Sequence, residues 1–470
     1  MNNRKIILDK VQIDQFVIFP FILYSFFSQY MWITIVAGIS FYIILSSLWV
    51  KYLPPMLTYL FLYQWIQVFG GVLYSDYMGI PFDELFTSKD ADGLFIATFI
   101  QMAVMVLFMA NIFKPTVFSG LEIMKEAASK LDTKKVLTVY GVFSLVFPTL
   151  IALTYSNPSL NQLVQSFAVL RKVSLIMLIF LLLLQKTKFN NLIIILLVVE
   201  FGLGFVSYFS SFKEIIYFFV FTYFTVKPNF KSRQVMRVAP VGLALVFFMV
   251  FWSSIKGGYR QYLNQGSGQQ QIAVSTYDAL NYLGDKTTNY SVDSLKTGSE
   301  VLLNRIQYMH QYSTVYGRVP SIIAHTNGDN VWSTIKFLTA PRFLTENKSI
   351  LDPSTKTSYY TGKNFANAER GTSISMGYFC DLYIDYGLLL MMIPLLVITF
   401  FIGKVSNYII NSDKYNLIFN FALFIATILS LGTFESDIIF YLGSIRNYLV
   451  FMILGNYFIF PWLNKYISAR

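Results

Sequence analysis

Arginine fixes a permanent charge in a planar, forked set of donors, and that shape matches phosphate oxygens two at a time. Five arginines, Arg260, Arg305, Arg318, Arg342 and Arg370, lie in one polar stretch of this 470-residue chain. Others sit in or beside apolar runs: Arg171 and Lys172, Lys213 with Glu214, Lys256, and Arg446. Cations converging beside a membrane suit a lipid-linked diphosphate, although any one of them serves equally well in a surface ion pair. Arg171 lies about a turn inside a Leu-rich run, where snorkelling to the interface competes with ligand binding.

Carboxylates are the candidates for proton transfer. Asp381 and Asp385 are spaced i,i+4 in Gly377-Tyr378-Phe379-Cys380-Asp381-Leu382-Tyr383-Ile384-Asp385-Tyr386-Gly387. On a helix they share a face, predicted to point at an outer mouth, where either one accepts a proton from a sugar hydroxyl. Capping a helix N-terminus is the plainer role. Glu435 is held in reserve as the base, and Asp437 and Glu200 complete the acidic set. Glu200 is the deepest, and a hydrogen-bonded brace between helices is its plainer reading.

Other chemistries lack their residues. There is a single Cys380, and His310 and His325 stand apart with no carboxylate spacing suggestive of zinc. Neither a phosphate-binding P-loop nor a Gly-rich dinucleotide fingerprint occurs. Metal and cofactors are therefore not called for.

The elements that must position these groups are membrane helices. Hydrophobic residues make up 55% of the chain and charged ones only 13%, and the mean hydropathy is +0.54, too apolar for a soluble fold. Apolar runs recur near the ~20 residues that a helix needs to cross hydrocarbon. They predict an all-α polytopic protein with about twelve spans (range 10 to 13), at 13–29, 31–50, 54–75, 93–113, 136–154, 162–184, 192–209, 214–227, 238–255, 383–403, 416–432 and 446–462. Nine spans thus occupy 1–255, an extracytoplasmic segment 256–382, and three spans 383–470. The segment is rich in Gly, Ser, Thr, Asn and Gln, with helix-like stretches near 299–316 and 331–338.

The net charge of +11 falls mostly in short linkers on one side, among them Lys51, Lys114, Lys125, Lys130, Lys134 and Lys135. The opposite connection carries Asp76, Asp83, Glu84, Asp90 and Asp92 against one Lys89. By the positive-inside rule both termini are cytoplasmic, and the charge calls for no nucleic acid.

In order and spacing, Phe201 to Gly403 resembles the oligosaccharide repeat-unit polymerases of bacterial surface polysaccharides, the O-antigen polymerase type. The resemblance rests on five pieces: the basic cluster Ser207-Tyr208-Phe209-Ser210-Ser211-Phe212-Lys213-Glu214, the pair Tyr259-Arg260, Arg305 opening onto an outer helix, Pro341-Arg342 with Lys348, and the stretch ending Tyr386-Gly387. The basic cluster departs from the pattern in lacking a Gly, and Arg342 and Lys348 are separated without a second Pro. The resemblance implies a GT-C-like glycosyltransferase of the bacterial inner membrane that needs neither metal nor nucleotide sugar. It would join undecaprenyl-diphosphate-linked oligosaccharides, with flippase and chain-length regulator proteins as partners. Lys213, Arg260 and Arg342 would contact the diphosphate, with Arg305, Arg370 and Arg171 as further candidates, and Asp381, Asp385 or Glu435 would act as base. A ligase that moves finished glycan needs the same site. A flippase instead calls for related halves and short loops on both faces.

Overall fold

The computed structural model describes residues 10–86, 90–116, 120–154, 157–206, 212–228, 232–267, 272–340, 352–365, 374–431 and 434–469. Among these the chain is helical, and its only extended pairings are two isolated bridges, Lys10 with Val50 and Leu131 with Ser468. The first helices are α1 (Phe19–Ser25), α2 (Met31–Leu48), α3 (Met56–Met78), α4 (Phe82–Leu85), α5 (Ala91–Ile112), α6 (Leu121–Ser129) and α7 (Thr133–Leu153). Next come α8 (Pro158–Phe167), α9 (Val169–Leu184), α10 (Asn190–Val206), α11 (Phe212–Val226) and α12 (Ser232–Leu263). The polar stretch then holds α13 (Thr276–Thr288), α14 (Val292–Ile306), α15 (Met309–Arg318), α16 (Asp329–Thr339) and α17 (Pro353–Thr361). The chain ends with α18 (Tyr378–Leu390), α19 (Met392–Ile410), α20 (Leu417–Leu429), α21 (Ile438–Leu454) and α22 (Phe460–Ile467).

Eight helical stretches among the described residues are long and apolar enough to cross a membrane: α2, α3, α5, α7, Leu160–Leu184, Gly242–Leu263 of α12, α19, and Ile438–Ile467. Gln15–Ser25, Asn190–Phe205 and α20 are apolar but shorter. The chain is thus a polytopic helical membrane protein. The apolar residues are not all inward: Leu145, Leu153, Val198 and Leu243 are at least 60% exposed, a surface that hydrocarbon rather than water would cover.

Helix boundaries follow local chemistry. Asp132 caps α7 by accepting the N–H groups of Lys134 and Lys135, Asn416 caps α20, and Gly79 ends α3 at a φ of 64° that a residue with a Cβ adopts at a cost. The predicted span 383–403 straddles a break instead. Gly387, inside α18, takes φ 69° and ψ 177°, so the helix that carries Asp381 and Asp385 breaks there, and the apolar rod of α19 starts at Met392. Without a Cβ, Gly387 reaches this backbone geometry at no steric cost.

The polar segment is also more deeply embedded than an outer loop implies. α14 packs on both α12 and α3. Gly298 makes the first contact possible, because a Cβ there would overlap the carbonyl oxygen of Val250. At the middle of α3 the Tyr308 N–H donates to the Gln67 carbonyl at 2.9 Å, and the Phe434 N–H donates to Gln67 Oε1 at 3.0 Å. Tyr378 donates its hydroxyl to Gln64 Oε1. Both glutamines are at most 2% exposed. A polar side chain buried inside a membrane helix requires partners, and here those partners are the incoming segments.

Candidate functional site

Three helices deliver cations to one place. The start of α11 is fixed by Phe212, buried in an aromatic nest where it stacks on Phe205 at 4.2 Å and meets Trp252 at 5.1 Å. Lys213 follows directly. On α12 the buried Tyr259 donates to the Phe205 carbonyl at 3.1 Å, which locks the rotation of that helix and sets the direction of Lys256 and Arg260, one turn apart on it. α14 runs alongside α12, with Gly298 against Val250 and Ser254, and brings Arg305 in its last turn.

Lys213 feels the charges of both Arg305 and Arg260. Lys256 feels Arg305, Arg260 and Lys213, opposed by Glu435. Four cations and one carboxylate therefore share a field, with Lys256 buried, Lys213, Arg260 and Glu435 half-buried, and Arg305 exposed.

Tyrosines wall this space. Glu435 acts electrostatically on Tyr59, Tyr63 and Tyr308, and Arg305 acts on Tyr63. Tyr59 lies 5.7 Å from Tyr63 and 5.8 Å from Tyr217, ring to ring. Like charges brought together in a partly dry site cost free energy unless an anion neutralises them. The arrangement therefore suits a multiply charged anion, with aromatic faces and hydroxyls beside it for an attached apolar or sugar group.

The two aspartates stand elsewhere. Asp381 is fully buried, pairs with Lys356 at 2.6 Å and accepts the Ile438 N–H at 2.8 Å. Lys356 also reaches Asp437 at 3.1 Å, which caps α21. Asp385 accepts from the Thr326 hydroxyl and from the N–H groups of Asn330 and Val331, at 3.2 and 2.8 Å for the latter two. It thus caps the start of α16, the plainer of its two roles. Both carboxylates are buried and engaged by protein groups.

Arg171 is also engaged elsewhere. Its Nη2 meets both oxygens of Glu200 at 2.6 Å, and Tyr140 donates to the same carboxylate. Together they brace α7, α9 and α10, as expected of a buried carboxyl that ties helices together. Lys172 pairs with Glu214 at 2.8 Å. Arg318 donates to the Tyr360 carbonyl and Arg446 to the Leu338 carbonyl. Arg342, Lys348 and Arg370 lie outside the described residues.

The structure thus groups Lys213, Arg260, Arg305 and Glu435 with Lys256, which the sequence offered only as a charge beside an apolar run, and adds Tyr59, Tyr63, Tyr217 and Tyr308. The spacing of Lys256 and Arg260, i,i+4 on one helix, was the available signal for grouping those two. No local pattern marks the tyrosines, because their proximity depends on how α3 and α11 pack. Among the described residues no group of three or more His, Cys, Asp or Glu could hold a metal ion. No family model, curated protein or solved structure matches the chain.

Proposed function

We propose that this chain is a membrane glycosyltransferase that joins lipid-diphosphate-linked oligosaccharide repeat units, with undecaprenyl diphosphate as the carrier, at the outer face of the bacterial cytoplasmic membrane. One observation carries the reading: Lys213, Lys256, Arg260 and Arg305 converge from α11, α12 and α14 beside Glu435. The family resemblance read from the sequence points the same way.

In this mechanism the acceptor sugar hydroxyl attacks the anomeric carbon of the donor glycan, and the bond from that carbon to the diphosphate oxygen breaks. Charge gathers on the departing diphosphate. The four cations, held in place before reaction, stabilise it there without reorganising. Glu435 takes the proton from the attacking hydroxyl. Asp381 and Asp385 take no part in that step, since their oxygens hold α21 and α16. The Asp381–Lys356–Asp437 cluster instead fixes the turn that carries Glu435. Tyr59, Tyr63 and Tyr217 offer ring faces to a sugar or to the first isoprene units.

Deletion of the gene followed by analysis of lipid-linked intermediates tests the assignment. A single accumulated repeat unit outside the membrane supports it. Long undecaprenyl-bound chains would instead indicate transfer of finished glycan, and units trapped inside would indicate translocation.

A further inference from the structure

A second site lies at the other end of the bundle, apart from the basic cluster. A cavity of about 790 Å³ opens between α19, the following loop, α21 and α22, lined by Lys404, Lys414, Tyr408, Tyr415, Asn456 and Asn464 on its polar side. Val405, Leu449, Met452 and Ile453 form its apolar side. Lys404 and Lys414 are exposed, and neither makes an ion pair among the described residues. Tyr415 donates to Asn456 Oδ1 at 3.0 Å and Asn464 Oδ1 accepts the Asn416 N–H at 3.0 Å, so the polar wall is built rather than loose. Asn456 in turn donates to the Met452 carbonyl, within the wide helical turn Gly455–Ile459 that opens the mouth.

Val405 and Leu449 also border a crevice of only about 20 Å³ between α19 and α21, too small to take a chain, so the space for a ligand is the cavity itself. A basic, hydrogen-bonding side of the cavity thus faces an apolar one, and the surface flanking it, Phe401, Ile453, Tyr457 and Trp462, is more than half exposed. We infer that this groove holds an anionic glycerophospholipid, with the headgroup phosphate between Lys404 and Lys414 and one acyl chain along Val405, Leu449, Met452 and Ile453. Charge complementarity selects the head. The apolar side of the cavity selects a lipid over a free phosphate, because hydrocarbon there covers side chains that would otherwise face water. The inference is independent of the glycosyl-transfer reading.

The test uses the full-length protein in detergent, with lipid retention read by native mass spectrometry against added dioleoyl phosphatidylglycerol or dioleoyl phosphatidylcholine. Each lysine near an anionic headgroup adds several-fold to affinity, so the wild type favours phosphatidylglycerol by roughly 10- to 30-fold. K404Q/K414Q, with both changes at exposed positions, abolishes the preference while the melting temperature stays put. V405W, which fills the apolar side of the cavity, lowers retention of both lipids with the lysines intact. Equal retention of the two lipids by the wild type, an unchanged preference in K404Q/K414Q, or full retention in V405W would each overturn the proposal. So would displacement of phosphatidylglycerol by millimolar inorganic phosphate, which would show a headgroup site alone, or by an equimolar polyprenyl phosphate, which would show a single-chain isoprenoid site.

Discussion

Lys256 separates a ligand site from a structural one, because its predicted effects on stability and activity have opposite signs. Its side chain is 7% exposed, the charges of Arg305, Arg260 and Lys213 all bear on it, and Glu435 opposes them. No described residue accepts a hydrogen bond from its ammonium or pairs with it. Without ligand, such a group is a net cost: it is desolvated and repelled, and one partly compensating carboxylate does not cancel three cations. K256Q keeps most of the volume and a polar head but removes the charge. It is expected to stabilise the ligand-free protein by about 1 to 2 kcal/mol, a rise in melting temperature of about 2 °C in a chain of this size. Transfer should fall about 10²- to 10³-fold, the cost of removing one preorganised donor to a developing anion. Two assays read this: thermal unfolding in detergent, and glycan length on cells carrying matched amounts of protein. A destabilised K256Q that still makes full-length polymer would refute the reasoning, since it would make Lys256 a structural cation whose partner is protein.

Four further outcomes follow from named contacts. R260A and R305A, at normal protein level, should each shorten the surface glycan, whereas R171A should leave its length unchanged and lower the melting temperature, because Arg171 binds Glu200; the reverse pattern would move the diphosphate to α9. K356M leaves Asp381 and Asp437 buried together without their cation and should cost about 3 to 5 kcal/mol, read as lost expression or a lowered melting point, with K356M/D381N/D437N recovering part of it. G377A, at a φ of 87° where a Cβ would overlap the Phe434 carbonyl oxygen, should displace the turn before Glu435 and reduce transfer more than G362A does. Burial first, and then the neighbouring Lys363 at 2.7 Å, pushes His310 below its ordinary value of 6.5. Its contribution to stability is therefore complete above pH 6.5 and is lost as pH falls through 6.5 toward the lowered folded value, so the melting temperature should drop over that range and drop less in H310Q.

Helices with a long apolar run could be read directly from the sequence, because lipid demands about twenty consecutive residues whatever the tertiary fold. Met31–Leu48, Met56–Met78 and Ala91–Ile112 match their expected spans within three residues. Failures came where tertiary geometry outranks composition. Gly387 splits an apolar-looking run because its φ is set by the docking of α18, and Gly looks the same in a helix as at a break. The eighth expected span, α11, has 15 residues and is not among the stretches long enough to cross. The cations of the site were legible as a set, since few residue types are permanently charged in so apolar a chain. The carboxylates were not. The i,i+4 pair Asp381 and Asp385 does share a helix, but Lys356 and the α16 N-terminus, which occupy them, come from segments 25 to 59 residues away with no pattern linking them. Gln64 and Gln67, the two amides in the middle of α3, were the overlooked signal: polar groups at that depth had to be buying contacts with something.

Those amides also constrain the order of assembly. The Gln67 side chain is bonded to a residue 367 positions later, and Gln64 to one 314 positions later. The third helix is therefore made and inserted long before its partners leave the ribosome, and its amides must wait in the bilayer until nearly the whole chain exists. Pairings at such sequence separation are slow to close. Transfer competence should accordingly switch on as a single late event in biogenesis, and carboxy-terminal truncations that end before Phe434 should insert yet remain inert.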